Sequence, residues 1–334
     1  MNIVAYILSL EVTQDCNLVC SHCLNGERRK VTMSDEVIRS VFAKVCIVDN
    51  LILTGGEVFL AYDVIKRVLE IAREMNVEIL NCSMVINGCI YDKRIYNLLD
   101  EYFKDNYHIY ISYDVYHDNS IERIYQGKEN SSNPEINPQS IEDIYNNMHK
   151  HMDNRHFRGF KNLGNKLINK GRAKNLPGEK HSFEVMGYYY DFCRDNMLMV
   201  GPAIFVSADG FITDGNDEIA HYKEGSLGSV LDCDWDKAII NGGIHVPCKN
   251  TDEFVTFLKR REDEYQKIIG EHYIIENGQM KVTEIRKSNL AEKELAKFIN
   301  YFIEASKEGL SIDKILSYDF SSYPSDLSLM EHME

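Results

Sequence analysis

Residues 13–25 read Thr-Gln-Asp-Cys-Asn-Leu-Val-Cys-Ser-His-Cys-Leu-Asn and place Cys16, Cys20 and Cys23 on one short stretch with the spacing Cys-x3-Cys-x2-Cys. Thiolates packed this densely hold a metal or an iron–sulfur cluster more often than they fill a core. Two chemistries fit. A structural zinc site would recruit His22 or a remote cysteine as its fourth ligand. An iron–sulfur cubane usually takes four thiolates, so three local ones would leave one iron open to a small molecule. The spacing alone leaves both open, and the rest of the chain has to decide.

Residues 4–13, directly before the cysteines, form an apolar run that reads as a buried strand. The apolar run over residues 1–10 is too short to span a bilayer and has no Lys or Arg ahead of it, so it does not read as a signal peptide. Nine cysteines, odd in number and clustered toward one end, do not suggest a secreted disulfide framework, and a cytoplasmic location is expected. A net charge of −15 argues against a nucleic-acid partner or an anionic membrane surface.

Further along, strand and helix signals alternate. Ser34 is placed to cap a helix carrying Val37, Ile38, Val41, Phe42 and Val45 on one face. A strand over residues 50–53 runs into Thr54-Gly55-Gly56-Glu57, and an amphipathic helix follows through Val64, Ile65, Val68, Leu69 and Ala72. A third strand, residues 77–86, ends at Asn87-Gly88 and leads to a helix through Ile95, Leu98, Leu99 and Tyr102. A fourth strand, 108–113, ends at Asp114; a polar loop over 127–139 and a helix from Ser140 follow. Short strands are expected at 156–163 and 166–169, ending near Gly171-Arg172-Ala173. Successive βα units imply a parallel sheet with right-handed crossovers.

The notable polar groups fall directly after these strands: the cysteines, Glu57, Asn87, and Ser112 with Asp114. In parallel α/β sheets and barrels the carboxyl ends of the strands are where ligands bind. Paired glycines let a backbone approach a ligand closely, and Glu57 offers a carboxylate for a cationic group. His117 and Asp118 read either as substrate contacts or as exposed loop residues.

With these segments in this order, the chain resembles the radical S-adenosylmethionine (radical SAM) superfamily. The resemblance rests on Thr13-x2-Cys16-Asn17-Leu18-x-Cys20-x2-Cys23, then Gly55-Gly56-Glu57, Asn87-Gly88 and Ser112-Tyr113-Asp114. It implies an α/β fold, a partial (β/α)6 TIM-type barrel with a small α+β C-terminal extension. It also implies that Cys16, Cys20 and Cys23 ligate a [4Fe–4S] cluster whose fourth iron chelates S-adenosylmethionine, which reductive cleavage converts to a 5′-deoxyadenosyl radical. Gly55, Gly56 and Glu57 would hold the methionine amino group, and the backbone around His22 would touch the adenine. Asn87, Ser112 and Asp114 would lie along the ribose and carboxylate. Arg172 would pair with that carboxylate, unless it is a solvated charge in a basic loop.

Residues 53–60 and 111–117 look similar to enzymes that modify ribosomally made peptides, including epimerases. The hairpin signal at Asp209-Gly210 and the pair Gly225-x2-Gly228 resemble the SPASM or twitch extension of such enzymes. Relatives place a cysteine where this chain has Thr213-Asp214-Gly215, so the extension is degenerate and a single cluster is expected. The implied organisation is a barrel over 1–180, the extension over 181–250 and a helical region over 251–334. A peptide substrate undergoing epimerisation or crosslinking is the expectation, with a sugar or nucleoside as the alternative and a non-enzymatic zinc module as a further one. An external reductant of flavodoxin or ferredoxin type would supply the electron. Cys193, Cys233 or Cys248 would donate a hydrogen atom to the substrate radical, and the run Tyr188-Tyr189-Tyr190 reads as packing. With the cysteine loop starting near residue 16, a peptide would be recognised by the extension, the helical tail or a separate protein.

Overall fold

The computed structural model describes residues 2–26, 29–90, 92–112, 116–117, 119–120, 123, 157–161, 167–168, 171–178, 180–181, 188–192, 197–213, 226–232, 234–269, 272–276 and 279–284. Asp114, Cys193 and Cys233, the polar loop over 127–139 and the helix expected from Ser140 lie outside them, as does the side chain of Ser112. Two compact units are present: Met1–Tyr188 with Val200–Gly243, and Tyr189–Met199 with Ile244–Glu334.

In the first unit, β1 (Asn2–Thr13), β2 (Val45–Gly55), β3 (Glu78–Ile86), β4 (Tyr107–Ser112) and β5 (Phe157–Lys161) pair in sequence order, all parallel. Leu10 sits beside Leu53, Leu53 beside Met84, and Met84 beside Ile109, so the carboxyl ends of these strands share one edge. β1 is buried on both faces nearly throughout, as a strand inside a parallel sheet must be, and its β-branched and leucine side chains suit that position.

The connections are α1 (Asp35–Phe42), α2 (Tyr62–Glu74) and α3 (Lys93–Phe103), each turning an apolar stripe inward. The Ser34 side chain accepts from the Val37 N–H, and Asp35 and Glu36 in the first turn suit the helix dipole. The Ser34→Ala variant is expected to lose about 1 kcal/mol, read as a lower urea midpoint at unchanged slope. Among the described residues no helix is long and apolar enough to cross a membrane.

The expected hairpin forms. β10 (Ile204–Val206) and β11 (Phe211–Thr213) pair antiparallel, and β12 (Gly228–Ser229) continues the sheet. β10 also runs parallel to β1, on the side away from β2, with Leu8 beside Ile204. The hairpin thus belongs to the same compact unit as the parallel strands, and α4 (Trp235–Gly242) closes that unit, with Lys44 paired to Asp236 at 2.5 Å. Thr213, the last residue of β11, is 5% exposed, and its carbonyl accepts from the buried Tyr188 hydroxyl.

Two expectations need correction. The short strand expected at 166–169 is present as β6 (Leu167–Ile168), but it pairs with β7 (Lys180–His181) and not with the main sheet. The C-terminal region expected to be helical begins with a helix, Thr251–Ile269, but continues into an antiparallel pair, His272–Glu276 with Gln279–Glu284. In that second unit β8 (Tyr189–Phe192) pairs with β9 (Met197–Gly201) and β13 (Ile244–His245), and buried Tyr189 packs edge-on against Phe257. Packing is therefore what Tyr188 and Tyr189 do.

Candidate metal and cofactor site

The loop leaving β1 is held by neighbours on every side. Thr13 and Gly55 face each other at the strand ends, and the Gly56 N–H donates to Thr13 O at 2.8 Å and the Glu57 N–H to Asp15 O at 2.8 Å. A Cβ on Gly55 would lie 2.0 Å from Thr13 O, and one on Gly56 2.2 Å from Asp15 O. The paired glycines thus admit the backbone of the cysteine loop itself, a use that their spacing did not reveal.

Glu57 is fully buried, and its two carboxylate oxygens accept from the Asn87 N–H at 2.7 Å and the Phe59 N–H at 2.9 Å. It ties the end of β2 to the end of β3. Burial raises its pKa to about 7, against the pull of those two N–H donors and of His117.

Asn87 carries the chain of contacts onward. Its Nδ2 donates to Asn17 Oδ1 at 2.7 Å and lies 3.8 Å from Cys16 Sγ, while its Oδ1 accepts from the Cys89 N–H at 3.0 Å. The Leu18 N–H donates to the same Cys16 sulfur at 3.4 Å. N–H donors aimed at a sulfur stabilise the thiolate, the form that binds iron.

From the β4 side, Ser120 Oγ accepts the Val19 N–H at 2.8 Å. The His22 ring stacks on Tyr116 at 4.7 Å and meets His117 edge-on at 5.2 Å. His117 is 9% exposed, which corrects its reading as an exposed loop residue. From further along the chain, the Arg172 N–H donates to Cys23 O at 3.0 Å. Gly171 (φ +49°) comes so close that a Cβ there would lie 2.3 Å from the same carbonyl oxygen. Arg172 is therefore a half-buried neighbour of the cysteines and not a solvated loop charge; its Nε is buried with no hydrogen-bond partner among the described residues.

The structure thus brings Cys16, Cys20, Cys23, His22, Gly55, Gly56, Glu57, Asn87 and Arg172 onto one edge. None of the three cysteines is in a disulfide, and Cys20 is buried. Among the described residues no three His, Cys, Asp or Glu side chains already converge as a ligand set. The thiols share a tightly held loop but are not preassembled. A soft thiolate donor set, N–H groups aimed at Cys16 and a buried guanidinium nitrogen on Arg172, whose backbone N–H bonds to Cys23 O, fit an iron–sulfur cluster with an anionic ligand.

Two residues escaped the sequence reading. Glu11 is a buried carboxylate inside an apolar strand, and that break in the apolar run was the available signal. Cys89 is a partly exposed thiol two residues beyond Asn87. Cys248 lies in the second unit, where its N–H donates to Asp191 Oδ2 at 2.7 Å. Burial, with Asp191 and Glu253 nearby, pushes its pKa up and keeps it a thiol.

Residues 10–163 match the description of the radical SAM superfamily. Over 122 residues the chain is 32% identical to the putative peptide biosynthesis protein YydG of Bacillus subtilis (strain 168), covering 33% of this chain and 36% of that protein. The match therefore spans about a third of that relative's length. Among solved structures, a histidine-tagged anSMEcpe with bound AdoMet aligns with a TM-score of 0.46 at 15% identity, over 77% of this chain and 83% of that one. Streptococcus suis SuiB bound to S-adenosylmethionine aligns with a TM-score of 0.29 at 14% identity, over 63% and 60%. At those scores neither alignment bears on the site. The match takes in the cysteine loop and its neighbours on the strand-end edge, which favours iron–sulfur over zinc chemistry: over residues 10–163 the chain carries a radical SAM superfamily domain.

Proposed function

We propose that this enzyme holds one [4Fe–4S] cluster on Cys16, Cys20 and Cys23 and abstracts a hydrogen atom from a ribosomally made peptide. The observation that carries the reading is the convergence of Glu57, Asn87, Ser120 and Arg172, from separate connections, on the cysteine loop. When bound, the cluster and S-adenosylmethionine supply a 5′-deoxyadenosyl radical after one-electron reduction by an external flavodoxin- or ferredoxin-type donor.

The chain's own residues have distinct tasks in this proposal. Asn87 and the Leu18 N–H favour thiolate at Cys16. The Arg172 guanidinium takes the methionine carboxylate, where its buried Nε gains an acceptor. The loop around His22, with Tyr116 stacked on its ring, receives the adenine. Gly55, Gly56 and Glu57 hold the methionine amino group, with Asn87, Ser112 and Asp114 along the ribose and carboxylate. A cationic amino group beside Glu57 would pull its raised pKa down, so binding near neutral pH would release a proton.

A peptide substrate is supported by the similarity to the Bacillus relative, the putative peptide biosynthesis protein YydG. In an epimerisation, a thiol S–H returns a hydrogen atom to the substrate carbon radical, and the resulting thiyl is restored by an electron from the external donor and a solvent proton. Cys193, Cys233 and Cys248 are candidates, and Cys89 joins them by its place after Asn87. Anaerobic reconstitution tests the reading. Expected are about four irons per chain, a brown chromophore and 5′-deoxyadenosine on reduction with S-adenosylmethionine. Zinc bound without iron would sink the proposal, whereas about eight irons would overturn only the single cluster. Peptide turnover in deuterated water separates the outcomes: epimerisation through a thiol incorporates deuterium at the inverted carbon, and crosslinking does not.

A further inference from the structure

Glu11 stands at the neck of the cysteine loop. Its Oε2 accepts from Gln14 Nε2 at 2.9 Å, two residues before Cys16, and its Oε1 accepts from Asn25 Nδ2 at 3.2 Å, two residues after Cys23. One carboxylate, 1% exposed, therefore brackets all three cysteines. The same Oε2 accepts the Ala208 N–H at 3.0 Å, from the turn joining β10 to β11. That turn touches the loop a second time, through Asp209, whose Oδ2 lies 3.2 Å from an Arg29 guanidinium nitrogen and whose Oδ1 accepts from Ser207 Oγ at 2.6 Å. Thr13 and Gln14 are meanwhile held to Val31 O, so the two limbs of the loop are also joined to each other.

Burying a carboxylate is costly and is repaid only through its hydrogen bonds. A leucine here would simply continue the apolar strand. What Glu11 supplies in exchange is a fixed separation between the two ends of the loop, set by one rigid group and referred to a hairpin almost two hundred residues away in sequence. From this geometry we infer that Glu11 is a positioning residue for the cluster-binding loop, and that through Ala208 the β10–β11 turn sets the spacing of the three thiols. The inference rests on the cysteines being the cluster ligands, as proposed above.

The test uses the full chain carrying Glu11→Gln. Whichever way the amide is turned, its NH2 meets a donor from Ala208, Gln14 or Asn25, and one arm of the bracket is lost. Asn25→Ala is the second variant; it removes only the downstream arm at a partly buried position and so survives if the first fails to fold. In the metal-free chain, hydrogen exchange at residues 14–26 and 207–210 is expected to quicken about tenfold, with the interiors of β1 and β2 unchanged. In the reconstituted chain, faster loss of iron to a chelator, a changed electron paramagnetic resonance spectrum with S-adenosylmethionine, and a raised KM for it should accompany that change. Exchange that stays at the parental rate in both variants, or that rises evenly across the sheet, overturns the bracket. Local loosening with an unchanged spectrum and KM overturns the positioning role. Failure of the parent chain to bind iron defeats the cluster reading instead, while the metal-free exchange still decides whether the bracket exists.

Discussion

The Gly55→Ala variant is expected to lower the melting temperature of the chain by roughly 10 °C and to lose the cysteine loop's geometry with it. The added methyl would lie 2.0 Å from Thr13 O, and the position has φ +144°, which side chains rarely adopt. The obstacle is backbone, so no rotamer relieves it. The strand ends must part, which breaks the bonds from the Gly56 N–H to Thr13 O and from the Glu57 N–H to Asp15 O. Backbone strain of about 1–3 kcal/mol and two bonds of about 1 kcal/mol each sum to roughly 3–5 kcal/mol. That is a large part of a typical stability of about 5–15 kcal/mol. Gly56→Ala, which meets Asp15 O at 2.2 Å without the unusual φ, should cost nearly as much. Gly242→Ala is the internal control: its nearest neighbour is Leu227 Cδ2 at 3.8 Å, and alanine at the end of α4 should be neutral or slightly stabilising. Thermal denaturation followed by circular dichroism reads all three. A Gly55→Ala chain that melts with the parent would mean that the glycines are not there for close approach.

Much of this edge was legible because local chemistry and periodicity agree there. Apolar runs ending in Cys16, Gly55-Gly56-Glu57 and Asn87 fixed both the strands and the edge on which they terminate, and Ser34 caps its helix as short polar residues do. What was hidden is long-range. Nothing local to Ala208 or Asp209 says that the turn they form lies under the cysteine loop, since that follows from β10 joining β1 on its open side. Gly-Gly-Glu was legible as special, but not as a backbone-to-backbone contact, because a glycine records only that something comes close. The pair of strands at 272–284 was within reach: Asn277-Gly278 between alternating apolar residues is a strong hairpin signal, masked by the charged helical pattern around it.

Glu57 carries the second large effect, and pH reveals it. The folded pKa is about 7 against 4.5 in the unfolded chain, with burial as the leading cause. A pKa raised on folding means that the native state holds the proton more tightly. Its contribution to stability is therefore fully present below pH 4.5 and is lost as pH rises through about 7. Glu11 is raised over the same interval, again chiefly by burial. Each contributes on the order of 3 kcal/mol in total between those two limits, so the chain should weaken from pH 5 to pH 8. Exposed carboxylates such as Asp35 and Glu70 have lowered pKa values from pairing with Arg67, and their opposite effect lies at more acidic pH and is screened. Glu57→Gln separates the contributions. The amide offers one acceptor where the carboxyl accepted from both Asn87 and Phe59, so at pH 5 the variant should be about 1–3 kcal/mol less stable. It has no buried charge to form as pH rises, so that deficit should shrink toward pH 8 and can change sign there. Urea unfolding of parent and variant across this range measures the crossing. A constant deficit at every pH would mean that Glu57 is ionised throughout, and that the edge where β2 meets β3 is wetter than its burial implies.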